Sequence, residues 1–299
     1  MSMKLFVPYV ALSVPILAWG LSFPSIKAAL TEIPPMTLAF GRFVLAAGFL
    51  TAVSLGSRQK LSIRRQHRWP LILSVLSGIT LYFLCENHGV KLIPASAASL
   101  IIAGIPILTL LADRVVFGRR LGPVGTAAAL ASFVGSALLV GVFGGLDGAF
   151  NPWGYLLMFG AAVAWVLYLF AMKPFQREYP NLVLTTWQMI LGAASLVPFA
   201  LAESGQWRWP SAAGWGHLAF QGLICSAASF LLYNHALQKL GLRTASLSIN
   251  LIPVVAVVAA YVLLGEVLGP WQWMGGALVL AAVAAVSAFP GPEPEPHQS

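Results

Sequence analysis

The sequence predicts an all-α polytopic membrane protein: ten transmembrane helices in two inverted five-helix repeats, with both termini cytoplasmic. Three observations predict it. Of the 299 residues, 59% are hydrophobic and only 9% are charged, with a mean hydropathy of +0.83. So little charge cannot cover the surface of a soluble chain this long, so much of that surface must meet lipid. The Lys and Arg residues gather in alternate loops, and motifs of the first half return in order in the second.

About 20 apolar residues cross a bilayer core. Segments of that kind lie near 8–28, 36–55, 70–90, 95–117, 122–142, 152–173, 181–201, 213–238, 243–264 and 270–289. The breaks between them carry turn or charge clusters, such as Ile33-Pro34-Pro35, the stretch from Gly56 to Arg68, Gly118-Arg119-Arg120 and the stretch from Gly265 to Pro270. The Pro-rich, acidic tail 290–299 predicts disorder.

Arg58, Lys60, Arg64, Arg65 and Arg68 lie between spans two and three; Arg114, Arg119 and Arg120 lie between four and five. Lys173 and Arg177 follow span six, Lys239 and Arg243 follow span eight, and Lys4 precedes span one. Lys27, Lys91 and Arg208 fall on the other side. The positive-inside rule makes the richer side cytoplasmic. With a multi-pass chain, this predicts residence in a bacterial inner membrane, with the bilayer as one partner. The net charge of +8 sets topology; no basic stripe or aromatic binding motif points to nucleic acid.

Two units follow, 1–145 and 146–289. Ala18-Trp19 recurs as Ala164-Trp165 and Lys27 as Lys173, at an offset of 146; Arg42 falls on Gln188. At 147, Phe83 recurs as Phe230, Asn87-His88 as Asn234-His235, Ile105-Pro106 as Ile252-Pro253, and Leu121-Gly122-Pro123 as Leu268-Gly269-Pro270. Five helices per unit is an odd number, so the second must enter from the opposite face. Inverted repeats of this kind place a site near the midplane, at their interface.

Ionisable groups inside a span are costly and need a reason. Arg42 and Glu86 lie at similar depth on neighbouring helices. As function, the pair would recognise the carboxylate and amine of a zwitterion; as structure, it would lock two helices. His88 is a candidate proton carrier. Trp19, Tyr82, Trp165, Tyr168 and Trp187 lie away from the interfacial belts and are candidates to line a cavity. Gln188 and Asn250 would hydrogen-bond substrate or clip helices together. Pro106 and Pro253 read as mid-helix residues and candidate hinges. The Gly- and Ala-rich fifth and tenth helices are candidates for a homodimer face or for packing within the chain. Cys85 and Cys225 lack metal-ligand spacing, and no cofactor is implied. The sequence has no HExxH or GxSxG motif and no paired mid-membrane aspartates, so it does not read as an enzyme.

The segments "LAWGLSFPSIKAAL", "PPMTLAFGRF", "AAVAWVLYLF", "ALQKLGLRTASLSINLIPVVAVV" and "LLGEVLGPWQWMGGALVLAAV" resemble the EamA-type transporters of the drug/metabolite transporter superfamily. The resemblance covers the chain up to its tail. It implies ten helices around a central cavity and transport of small metabolites, with YddG-type amino-acid exporters the nearest analogy. Export of drugs, nucleosides or sugar derivatives is the alternative. One departure is visible. The acidic residue that the family carries before the fifth helix of each half is Glu266 in the second half, whereas Arg119 stands there in the first.

Overall fold

The computed structural model describes residues 3–118, 122–139, 151–172, 175, 178–233, 235 and 251–288. Among them every regular element is helical. The helices are α1 (Met3–Ala29), α2 (Pro35–Gly56), α3 (Arg65–Leu92), α4 (Ala95–Ile102), α5 (Ile105–Phe117), α6 (Pro123–Leu139), α7 (Pro152–Met172), α8 (Asn181–Ala202), α9 (Ala212–Tyr233), α10 (Ile252–Leu264) and α11 (Pro270–Ala288). Seven spans, the stretch from α4 through α5 counting as one, are long and apolar enough to cross a membrane; α6, α10 and α11 hold shorter apolar helices. This is the composition of a polytopic membrane protein. Helices satisfy their backbone groups internally, which the bilayer core demands. The tail read as disordered lies outside the described residues.

The helices of the two halves interleave. α2 packs along α8, α7 along α3, α1 along α10, and α6 along α11. The α6–α11 contact is tight: a Cβ on Gly135 would lie 2.8 Å from the Gly275 carbonyl oxygen. The small-residue faces of these two helices therefore meet each other within the chain, the second of the two roles read for them.

Three local features recur at an offset of 147. α3 and α9 each contain a π-helical stretch, Leu76–Leu81 and Phe220–Ala228, and 76–81 maps onto 223–228. α5 and α10 each end on a left-handed glycine, Gly118 (φ 66°) and Gly265 (φ 67°), where a side chain would be strained. Pro106 and Pro253 each fall in the first turn of a helix. This corrects their mid-helix reading. The span 95–117 is interrupted at Ala103-Gly104 rather than bent, and a proline in a first turn costs no helical hydrogen bond.

Carboxylates brought from distant segments cap three helix starts. Glu203 accepts the Met36 and Thr37 N–H groups (3.1 and 2.8 Å) and the Thr37 hydroxyl (2.9 Å), at the head of α2. Glu266 accepts the Ala95 and Ser96 N–H groups (2.9 and 3.1 Å) and the Ser96 hydroxyl (2.9 Å), at the head of α4. Lys27 Nζ lies 3.9 Å from Glu266 and donates to the Ile93 carbonyl. Glu32 accepts the Ser211 N–H, which with the Ser211 hydroxyl holds its carboxyl below the usual glutamate range. That link is therefore present above the ordinary glutamate pKa and is lost as pH falls through the lowered value. Each cap meets N–H groups that a helix start leaves unpaired, where the helix dipole favours negative charge.

Glu266→Ala should destabilise the protein by about 1–2 kcal/mol, the usual cost of an N-cap. Thermal unfolding in detergent checks this, and Glu266→Gln should recover part of the loss.

Candidate functional site

Arg42 on α2 is 4% exposed and has one hydrogen bond among the described residues, from Nε to the Ser226 hydroxyl at 2.9 Å. Its guanidinium carbon lies 4.5 Å from the Phe83 ring centroid and 5.8 Å from that of Phe43. A desolvated cation over an aromatic face gains about 2 kcal/mol. Ser226 holds the inner nitrogen, which leaves the terminal fork of the guanidinium without a hydrogen bond among the described residues.

Glu86 on α3 is 3% exposed. Its Oε1 accepts the Tyr82 hydroxyl at 2.8 Å, one helical turn away, while Oε2 is buried without a hydrogen-bond partner among the described residues. Arg42 and Glu86 lie within electrostatic range but do not close on each other as an ion pair. The direct pairing read from the sequence is thus corrected. Ser226 and the phenylalanine rings hold the cation, Tyr82 holds the carboxylate, and among the described residues each keeps a free end.

Aromatic rings connect these groups across both halves. Trp165 on α7 stacks obliquely on Tyr82 (centroids 5.1 Å) and on Tyr168 (4.8 Å), and lies 6.4 Å from Phe230 on α9. Phe230 in turn meets Trp19 on α1 at 5.6 Å, and Trp19 meets Tyr233 at 5.3 Å. Phe83 joins through Tyr82 at 5.0 Å. The π-helical turns direct this convergence. Both lie just before the residues that enter the cluster, Tyr82 to Glu86 on α3 and Phe230 and Tyr233 on α9. Such turns displace carbonyls from the α ladder. The Trp19 indole N–H donates to the carbonyl of Cys225, within the second turn, at 2.8 Å. In the first turn, a Cβ on Gly78 would lie 2.4 Å from the Tyr168 ring, so only glycine admits that ring.

The structure therefore brings together Trp19, Arg42, Tyr82, Glu86, Trp165 and Tyr168. Gln188 sits at the margin, its amide donating to the Tyr168 hydroxyl (3.3 Å) and the Met172 sulfur (3.1 Å). His88 stays apart, with Nδ1 donating to the Leu84 carbonyl at 2.8 Å. Trp187 packs instead with Leu71, Phe175 and Leu184. Asn250 lies outside the described residues. Phe83, Ser226, Phe230 and Tyr233 belong to the site without having been singled out for it. The Phe83–Phe230 recurrence was visible, but as a mark of the repeat. Nothing local marks Ser226, one serine among many.

The chain matches the model of the EamA-like transporter family twice, over residues 7–141 and 152–288. It belongs to that family. It is 30% identical over 288 residues to a protein of Streptantibioticus cattleyicolor named "Probable terminal-alkyne amino-acid exporter", covering 95% of each chain. It is 26% identical to an "Uncharacterized transporter" of Archaeoglobus fulgidus, over 93% of this chain and 98% of that one. A solved crystal structure 21% identical in sequence shares the fold with a TM-score of 0.65, over 94% of this chain and 96% of the other. The protein is thus a multi-pass transporter-family chain.

A buried cation kept for stability and one kept for function respond differently to an apolar replacement. Arg42→Met combined with Glu86→Gln, which removes both buried charges together, should leave thermal stability unchanged or raise it by up to about 4 kcal/mol, because it relieves desolvation without leaving a buried charge unpaired. A marked drop in melting temperature would show that the two groups are a structural lock.

Proposed function

We propose that the protein is a secondary transporter that moves amino acids with aromatic or other hydrophobic side chains across the bacterial inner membrane. Ten transmembrane helices form two inverted five-helix repeats, 1–145 and 146–289, with both termini cytoplasmic. The site alternates in access between the two faces. The observation that carries this reading is the pair of ends at Arg42 and Glu86, free among the described residues, within one aromatic shell. A guanidinium fork matches a carboxylate, and an unpaired carboxylate oxygen matches an ammonium. The rings between and around them suit an apolar side chain. An α-amino acid presents these three groups together.

Two lines support the topology. The π-helical stretches, the left-handed glycines and the first-turn prolines each recur at 147, and two matches to one family model divide the chain near residue 146. The similarity to a protein named as an amino-acid exporter supports the substrate class. The site joins rings from α1, α3, α7 and α9, which draws on both halves, as a midplane site between inverted repeats requires.

Purified protein in liposomes loaded with unlabelled phenylalanine or leucine should take up the labelled amino acid by saturable exchange. Trp19→Ala and Trp165→Ala should each weaken the apparent affinity by roughly tenfold, the loss of an aromatic contact of about 1–1.5 kcal/mol. Absence of exchange across a panel of neutral amino acids would overturn the substrate assignment.

A further inference from the structure

Two acidic residues that follow the first helix of each half make equivalent links to the opposite half. Glu32 follows α1 and Glu178 follows α7, an offset of 146. Glu32 grips Ser211 at the head of α9: Oε2 accepts the Ser211 N–H at 2.6 Å and Oε1 its hydroxyl at 2.8 Å. Glu178 grips Arg64 at the head of α3, with Nη1 3.2 Å from Oε2. Arg64 and Ser211 themselves differ by 147. Exchanging the halves therefore maps the contact 32–211 onto the contact 178–64. Further atoms reinforce each link. The Ser211 hydroxyl accepts the Gly214 N–H at 3.2 Å. His67, equivalent to Gly214 at the same offset, places Nδ1 3.4 Å from Glu178 Oε2 and 2.7 Å from the Tyr179 hydroxyl. That hydroxyl also accepts the Arg64 N–H at 3.2 Å.

Neither link is built like permanent packing. Arg64, Glu178 and Ser211 are exposed; an exposed ion pair such as Arg64–Glu178 contributes little, so thermal motion can break and remake it, and at the exposed Ser211 cap water can replace Glu32. Each nevertheless joins one half of the chain to the other. Inverted halves put the two links at opposite faces, Glu32 with Ser211 outside and Glu178 with Arg64 and His67 inside, with the aromatic site between them. We propose that these two links are the outer and inner gates of the transporter, and that the structure, with both made, is the occluded form between its two open states. This rests on the inverted topology proposed above. Glu203 and Glu266 add links between the halves at the outer end. The inner gate, with fewer supports among the described residues, is the easier of the two to open.

The test reads access to the site and needs no substrate, so failure of the amino-acid assignment leaves it intact. A reporter cysteine is placed by Trp165→Cys, or independently by Phe230→Cys, in a chain carrying Cys85→Ala and Cys225→Ala. A membrane-impermeant maleimide is then applied to right-side-out and inside-out vesicles. Glu178→Ala should raise labelling from the cytoplasmic face roughly threefold, and Arg64→Ala should do the same. Glu32→Ala should raise labelling from the outer face only, and by less. Labelling that rises from the opposite face, rises equally from both, or changes with no variant would overturn the proposal.

Discussion

A guanidinium held inside a lipid-embedded helical bundle is the constraint around which the rest of this structure is arranged. Such a charge costs several kcal/mol unless its surroundings answer it. Among the described residues the answer is partial. One hydroxyl, from Ser226, takes the inner nitrogen, and Phe83 offers its face to the cation. The carboxylate of opposite charge nearby, Glu86, is held by Tyr82 on its own helix. On the function proposed above, two opposite charges kept near each other but not joined would receive a dipolar molecule. A closed ion pair would have no reason to admit one.

That arrangement depends on the backbone of α3 and α9. A π-helical stretch adds a residue to a turn, and each residue turns the following helix face by roughly 100°. Placed just ahead of Tyr82 and Phe230, the two stretches rotate the later residues into the space between the halves. Glu86 joins the site while His88, two positions further round, bonds to its own helix. The same turns bring α7 close to α3, because Gly78 leaves room for the Tyr168 ring.

At the ends of the bundle the physics reverses. Water and helix dipoles are available there, and carboxylates do the joining. Glu32, Glu203 and Glu266 each reach N–H groups at a helix start far away in sequence. Glu266 has Arg119 as its counterpart in the first half, so this cap has no acidic equivalent there. Apolar packing along the helix shafts gives cohesion without direction in lipid. The polar links at the ends have direction, and they can be exchanged for water.

What the residues alone determined is what can be read along one dimension. Hydropathy and charge sum locally, so they marked the spans near 8–28 and 36–55, where the structure has Leu12–Ala29 and Pro35–Gly56, as apolar helices and identified a membrane protein. Internal recurrence likewise needs only comparison of the chain with itself, which is how Trp19 and Trp165 came to notice together. Tertiary structure alone decided which polar atoms meet. Ser226 finds Arg42 across 184 positions, and Glu203 finds Thr37 across 166. It also split the span 95–117 at Ala103-Gly104 and placed Pro106 at a helix start. The physical reason is that a side chain's direction depends on the accumulated rotation of its helix and on the helices beside it. One π-helical turn is enough to change that rotation, and no local pattern in the residues announces it.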